Sequence, residues 1–148
     1  MNKSIEEIEQ DVINEFSTFQ DWLDRYQYII DMGNELGEFP ENKRTESYRI
    51  KGCQSSVWLT ADLEDGRVIF RSDSDSSIVK GLASLMIRVL SNQKPDDIVK
   101  AKLDFIDKIG LKEHLAPTRS NGLSAMIKQM RMYALAYKLK QQEQKVTN

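Results

Sequence analysis

The stretch that decides the fold is residues 48–70, YRIKGCQSSVWLTADLEDGRVIF. From residue 57 onward, apolar and polar residues alternate with a period of two, which is typical of a half-buried strand. Asp65-Gly66 separates two such runs and is a strong hairpin-turn signal. A two-residue turn there would bring the apolar residues of both strands to one face, with the pairs Leu63 with Val68 and Ala61 with Phe70.

The beginning of the same stretch predicts a third strand. Tyr48 and Ile50 alternate with charged residues as far as Lys51, and Gly52-Cys53-Gln54 then interrupts the pattern. We expect residues 48–51 to pair with the strand that begins at Val57. Cys53, the only cysteine of the chain, would then lie at the tip of an antiparallel hairpin. Loop tips carry function more often than strand interiors do.

Helices are predicted before and after this sheet in the chain. Ser4 and Glu7 have the spacing of a capping box at the start of a first helix, and a second helix is expected from about Asp21 to Leu36. Good N-cap residues at 72–75 precede a central helix of about four turns.

The rest of the chain is also predicted to be mainly helical. Shorter helical pieces are expected from Lys94 to near Gly110, then a loop over residues 114–119 and a last helix from near Ser120. This order predicts an α+β fold, a short three-stranded antiparallel sheet covered on one face by helices. We expect one domain over residues 1–140 and a polar, frayed tail over residues 141–148.

Composition limits the classes of function. Lysine and arginine number 21 against 23 acidic residues, so the net charge is −2 and no overall positive field attracts nucleic acid or an anionic membrane. The first residues resemble neither a signal peptide nor a membrane span, so we expect a cytoplasmic protein. One cysteine cannot form an internal disulfide, and with one histidine it does not make a zinc or iron–sulfur site, so we expect no structural metal.

Cys53 allows more than one interpretation from the residues alone. A lone cysteine is often a small, buried and inert side chain. Its place in a turn between Gly52 and Gln54 favours a reactive thiol instead. A third interpretation pairs Cys53 with His114, the only histidine, as the nucleophile and base of a small cysteine hydrolase. The neighbours of His114 look like a helix end, which favours a structural histidine.

Three blocks of the sequence are distinctive when they are taken together: GCQSSVW at residues 52–58, SDSDSSIVKGL at 72–82 and HLAPTRSNGL at 114–123. They resemble the SufE family of sulfur-acceptor proteins. The first is similar to the cysteine loop of that family, the second to the stretch that enters its central helix, and the third to the stretch that enters its last long helix. The blocks occur in the family's order and spacing, and the resemblance covers nearly the whole chain apart from the polar tail.

The resemblance implies a fold shared with IscU-type scaffold proteins and a role in iron–sulfur cluster assembly. On the family's pattern, Cys53 accepts persulfide sulfur from a PLP-dependent, SufS-like cysteine desulfurase, stimulates that enzyme and passes the sulfur to the SufBCD complex. The chain would then hold no cofactor beyond a transient cysteine persulfide, because the PLP belongs to the partner. A scaffold function is not expected, since a nascent cluster needs several thiolate ligands. A homodimer is left open.

The resemblance also assigns residues around the thiol. Gly52 and Gln54 frame the loop of the persulfide carrier Cys53, and Asp75 and Arg119 match family positions near it. Asp75 is interpreted as a helix cap, as a residue that holds the loop in its resting position, or as both. Arg119 is expected to pair with Asp75, to contact the desulfurase, or to be solvated. We expect the thiol to rest inward and to swing outward on contact with the partner.

Three alternatives remain at this point. The first is a CsdE-like acceptor, which serves a different desulfurase. The second is the cysteine hydrolase that uses Cys53 and His114. The third is a binding module without chemistry, in which Cys53 is inert.

Overall fold

The computed structural model describes residues 2–147, with side chains as far as residue 145. Seven α-helices and two strands follow one another in these residues, with two short 3-10 helices, Glu41–Lys43 and Glu46–Tyr48, before the first strand. In chain order the elements are α1 (Ile5–Phe16), α2 (Trp22–Asn34), β1 (Val57–Glu64), β2 (Arg67–Ser74), α3 (Ser77–Leu90), α4 (Pro95–Lys100), α5 (Phe105–Lys108), α6 (Leu111–His114) and α7 (Pro117–Thr147).

The hairpin of β1 and β2 is confirmed in its predicted register. Leu63 pairs with Val68 and Ala61 with Phe70. Asp65 and Gly66 have φ angles of 52° and 78°, the left-handed conformation that a two-residue turn of this kind requires at both positions. The local turn chemistry therefore determines how these two strands meet.

The predicted third strand is wrong, because the sheet has two strands over the described residues. Residues 46–48 form a 3-10 helix, and pairing with β1 is limited to one isolated bridge between Arg49 and Trp58. The Ile50 amide donates to the Val57 carbonyl at 2.8 Å. Further along, the Leu59 and Ala61 carbonyls accept hydrogen bonds from tyrosine hydroxyls of α7 at 3.3 and 2.8 Å. With those acceptors bound to α7, this edge of β1 has no room for another strand.

Helix α3 is the centre of the core, as its predicted apolar face requires. The predicted positions on that face are all buried: Ile78, Leu82, Leu85, Met86 and Val89. Helix α2 packs closely on α3 where Gly33 meets Gly81, since a Cβ on Gly33 would lie 2.7 Å from the Gly81 amide nitrogen. Only glycine permits this approach.

The start of the last helix differs from the prediction. The loop predicted over residues 114–119 is shortened to Leu115 and Ala116, because α6 ends at His114 and α7 already begins at Pro117. Proline is favoured at the first helical position, where its missing N–H costs nothing. Helix α7 continues through residues 141–147, and Met1 and Asn148 lie outside the described residues. The division into a domain and a frayed tail stays a prediction.

Candidate functional site

A short loop carries Cys53, and both of its ends are attached to the core. At the first end, the hydrogen bond from Ile50 to Val57 closes residues 51–56 into a loop at the start of β1. Gly52 has a φ of 91°, a conformation that favours glycine. A Cβ at this position would meet only the Ala125 side chain, at 3.7 Å, so the backbone conformation rather than lack of space favours glycine here.

The second end of the loop is attached to the chain just before α3. The Ser56 amide donates to Asp75 Oδ1 at 3.1 Å, and the Asp75 amide donates back to the Ser56 carbonyl at 3.2 Å. The Ser74 hydroxyl also donates to that carbonyl, at 2.8 Å. Ser76, rather than Asp75, caps α3, because its hydroxyl accepts from the Val79 amide. The Asp75 carboxylate is therefore directed at the cysteine loop.

The thiol of Cys53 points inward. It is partly buried, and its Sγ donates to the Gly122 carbonyl of α7 at 3.6 Å. A Cβ on Gly122 would lie 3.4 Å from Sγ, so the thiol uses the space that the missing side chain leaves. Beside the thiol is a cavity of about 190 Å³, lined by Gln54, Ser55, Ser76, Val79, Leu82, Thr118, Arg119, Gly122, Leu123 and Met126.

The resting environment of Cys53 disfavours the thiolate. Burial raises the pKa of the Cys53 thiol above its ordinary value, and the positive charge of Arg49 offsets part of that rise. Because the thiolate is the nucleophilic form, the inward conformation protects the thiol from reaction at neutral pH. A reactive state needs a change of surroundings, either by movement of the loop or by a cation brought close to it.

The cavity wall combines apolar and polar groups. Val79, Leu82 and Met126 supply the apolar part. Thr118 and Arg119 belong to the first turn of α7, where free backbone N–H groups give the helix end a partial positive charge. The exposed Arg119 lines this cavity, and none of the ion pairs among residues 2–147 joins it to Asp75. The expected Arg119–Asp75 pair is therefore absent from this conformation.

His114 has structural contacts of its own. Its ring stacks on Trp22 with the centroids 4.0 Å apart, and its Nδ1 donates to the Gly110 carbonyl at 2.9 Å. The Tyr26 hydroxyl donates to the His114 carbonyl. The thiol bonds Gly122 and the His114 ring bonds Gly110, and His114 does not line the Cys53 cavity, so this conformation does not pair the two as a hydrolase requires.

Two neighbours of the thiol were not predicted as site residues. Gly122 accepts the thiol hydrogen bond, and Ser56 connects the loop to Asp75. A glycine at the start of a predicted helix is unfavourable for the helix, and Gly122 also lies in the block of residues 114–123 that resembles the family. Ser56 lies in the block of residues 52–58, but its residue type gives no further signal, because serine is common in every loop.

One known protein family matches most of the chain. The model of the family described as "SufE: Fe-S metabolism associated domain" matches residues 10–134. The chain belongs to the SufE family. Membership implies a sulfur-acceptor role in iron–sulfur metabolism and suggests a cysteine desulfurase as a partner.

Individual SufE-like proteins are similar in sequence to this chain over most of their length. An uncharacterized SufE-like protein of Rhizobium meliloti is 39% identical over 128 residues, which cover 83% of this chain and 91% of that protein. An uncharacterized SufE-like protein of Synechocystis sp. is 37% identical over 130 residues, which cover 88% of this chain and 82% of that protein. A solution structure of a hypothetical protein from Thermus thermophilus shares the fold, with a TM-score of 0.73 at 22% identity over 88% of this chain and 95% of the other.

Two further properties concern membranes and metals. Across residues 2–147, no helix combines the length and the apolar character needed to cross a bilayer. In the same residues, no three His, Cys, Asp or Glu side chains are grouped as ligands for a metal ion.

Proposed function

We propose that Cys53 is the persulfide carrier of this SufE protein, with a SufS-like, PLP-dependent cysteine desulfurase as its sulfur donor. The observation that carries the proposal is the placement of the only cysteine on an anchored loop, with its thiol beside a cavity of about 190 Å³. A second sulfur on Sγ needs such a space when the loop is closed. The PLP belongs to the donor, and this chain contributes the accepting thiol.

The transfer balances without an oxidant or a reductant. Once the loop has turned outward, the Cys53 thiol loses its proton to water, and its thiolate attacks the outer sulfur of the donor's cysteine persulfide. A new S–S bond forms at Cys53 while the donor's S–S bond breaks, and the donor cysteine leaves as a thiolate. The donor thiolate that leaves takes up a proton in turn, so the exchange consumes no net base and does not depend on a residue such as His114.

The loop is proposed to work in two positions. In the inward position the thiol is protonated and shielded, because burial raises its pKa. Docking of the donor turns the loop outward, which breaks the hydrogen bonds between Ser56 and Asp75 and brings Sγ into water or against the partner. On return, the terminal sulfur enters the cavity near Arg119 and the first turn of α7, where a persulfide anion meets favourable charge.

The onward steps belong to the same proposal. The carrier stimulates the desulfurase by removing its persulfide, and it delivers the sulfur to a SufBCD-type assembly complex in the cytoplasm. A CsdE-like acceptor with a different desulfurase is the alternative within this class. Activity with two purified desulfurases, measured as sulfide released from cysteine per minute, distinguishes them by which enzyme is stimulated.

Mass spectrometry tests the central step. The protein is incubated with a SufS-like desulfurase and free cysteine, and we expect one added sulfur, removable by reductant, on the peptide that contains Cys53. Cys53→Ser should lose the adduct and the stimulation, and His114→Ala should retain both. An adduct that never forms on the native protein, or stimulation that survives Cys53→Ser, would contradict the proposal.

A further inference from the structure

A second concave surface lies on the face of α7 that points away from Cys53. Gly122 and Met126 line the Cys53 cavity, whereas Lys128 and Arg131 line a separate cleft of about 470 Å³. At 3.6 residues per turn, Arg131 projects about half a turn around α7 from Gly122. We call this second surface the α7 cleft, lined by Val99, Lys102, Leu103, Asp104, Ile106, Asp107, Lys112, Ser124, Ile127, Lys128, Arg131, Met132 and Leu135.

The α7 cleft continues as a row of exposed apolar side chains along the helix. Met132, Leu135 and Leu139 are 54%, 43% and 53% exposed. Their spacing of three and four residues places them on one face of α7, in line with Lys128. An elongated apolar row of this spacing suits a second helix, because a helix in a groove inserts side chains three, four and seven residues apart. A compact small molecule would leave much of the row uncovered.

The charge of the residues that line the cleft favours a negatively charged occupant. The cleft is lined by four cationic residues, Lys102, Lys112, Lys128 and Arg131, and by two acidic residues, Asp104 and Asp107. The lining therefore has an excess of two positive charges. The ion pairs of residues 2–147 include none of the three lysines. Two copies of this chain that paired symmetrically through the cleft would place cations against cations. The occupant is therefore a different molecule that carries acidic side chains.

We propose that the α7 cleft is a docking site for an acidic amphipathic helix of a partner protein. The apolar face of that helix covers Met132, Leu135 and Leu139, and its carboxylates meet the three lysines of the cleft. Because the cleft and Cys53 lie on opposite faces of α7, this partner and a sulfur donor at the cysteine loop can bind at the same time. The proposal is independent of the chemistry assigned to Cys53.

A synthetic helix pair tests the proposal on the full-length protein. The probe has leucines on one face and glutamates on the other, and its twin carries lysines in place of the glutamates. We expect calorimetry to detect binding of the acidic probe alone, weakened by added salt. Leu135→Asp and Lys128→Glu should each weaken it by about tenfold. The Met132 methyl resonance should shift on binding.

Two substitutions outside the α7 cleft serve as controls. Leu23→Asp replaces an exposed leucine on α2, and Lys140→Glu reverses a lysine on the other face of α7, so neither should change binding. All four variants should still acquire persulfide sulfur on Cys53. Equal binding of the basic twin, no binding of either probe, or equal losses in the control variants would overturn the proposal. A symmetric dimer of this protein that Leu135→Asp dissociates would also overturn the proposal. If Leu135→Asp does not fold, the binding of the acidic probe to Lys128→Glu and its dependence on salt test the proposal instead.

Discussion

The two connections that bound strand β1 are built on different principles. The turn at Asp65-Gly66 is closed by its own two residues, whose positive φ angles are enough to form the hairpin. The loop of residues 51–56 is closed at its base by the Ile50–Val57 hydrogen bond, but its own residues are held by distant ones, since Ser56 bonds Asp75 and Cys53 bonds Gly122. A connection held by its own backbone is rigid, and one held by a few exchangeable hydrogen bonds can open. The functional residue lies in the second kind.

The largest expected difference comes from one substitution made in both connections. Gly66→Val should lower the free energy of unfolding by about 1 to 2 kcal/mol, because an L side chain is strained at a φ of 78° and the turn has no alternative. Gly52→Val should cost less than about 1 kcal/mol, because the loop can rearrange, but it should expose the thiol. Urea unfolding and the rate of Cys53 alkylation measure the two effects. If Gly52→Val lowers stability as much as Gly66→Val does and leaves alkylation unchanged, the contrast between the connections is wrong.

A smaller effect is expected from removing the carboxylate that anchors the loop. Asp75→Ala leaves the Ser56 amide without its acceptor, which should cost about 1 kcal/mol and favour the outward position of the loop. Alkylation of Cys53 should become roughly fivefold faster, since about 1 kcal/mol corresponds to a factor of that size.

Asp62→Ala is the matched control in the hairpin. Its carboxylate pairs with Arg71 at 3.2 Å, and both side chains are exposed, so its loss should change stability by less than about 0.5 kcal/mol. Alkylation in this variant should equal that of the native protein. Equal rates in Asp75→Ala and Asp62→Ala would show that the carboxylate of Asp75 does not hold the loop.

The smallest effect concerns pH. Burial raises the pKa of the Cys53 thiol and Arg49 lowers it in part, so Arg49→Gln should raise that pKa further, whereas Arg71→Gln in the hairpin should not. Alkylation measured against pH should therefore have its midpoint above that of the same protein in guanidinium. As pH rises, the thiol of the unfolded chain releases its proton before that of the folded protein. The contribution of Cys53 to the free energy of unfolding is therefore fully present below the unfolded pKa and is lost as pH rises through the folded pKa. A native midpoint below the denatured one would contradict this reasoning.

Much of the fold is predictable because it depends on local patterns. The capping box of Ser4 and Glu7 forms at the start of α1, and the hairpin register is the predicted one. Helix α2 begins and ends within two residues of its expected bounds. The third strand fails for a tertiary reason, since the hydroxyls of Tyr133 and Tyr137 bond the edge of β1 that it would have used. Alternating residues near Tyr48 could not reveal that competitor.

The sequence by itself determined the hairpin, the apolar faces of the helices, the single reactive candidate Cys53 and the family. These follow from residue periods, turn residues and motif order, all of which are local. Only the tertiary structure decided the direction of the thiol, the partner of Asp75, and the separation of His114 from the cysteine. The contacts of Cys53 and Ser56 join residues 69 and 19 positions apart, and packing of α3 against β2 and of α7 against β1 brings them together. Such contacts depend on how the helices pack, which no local pattern encodes.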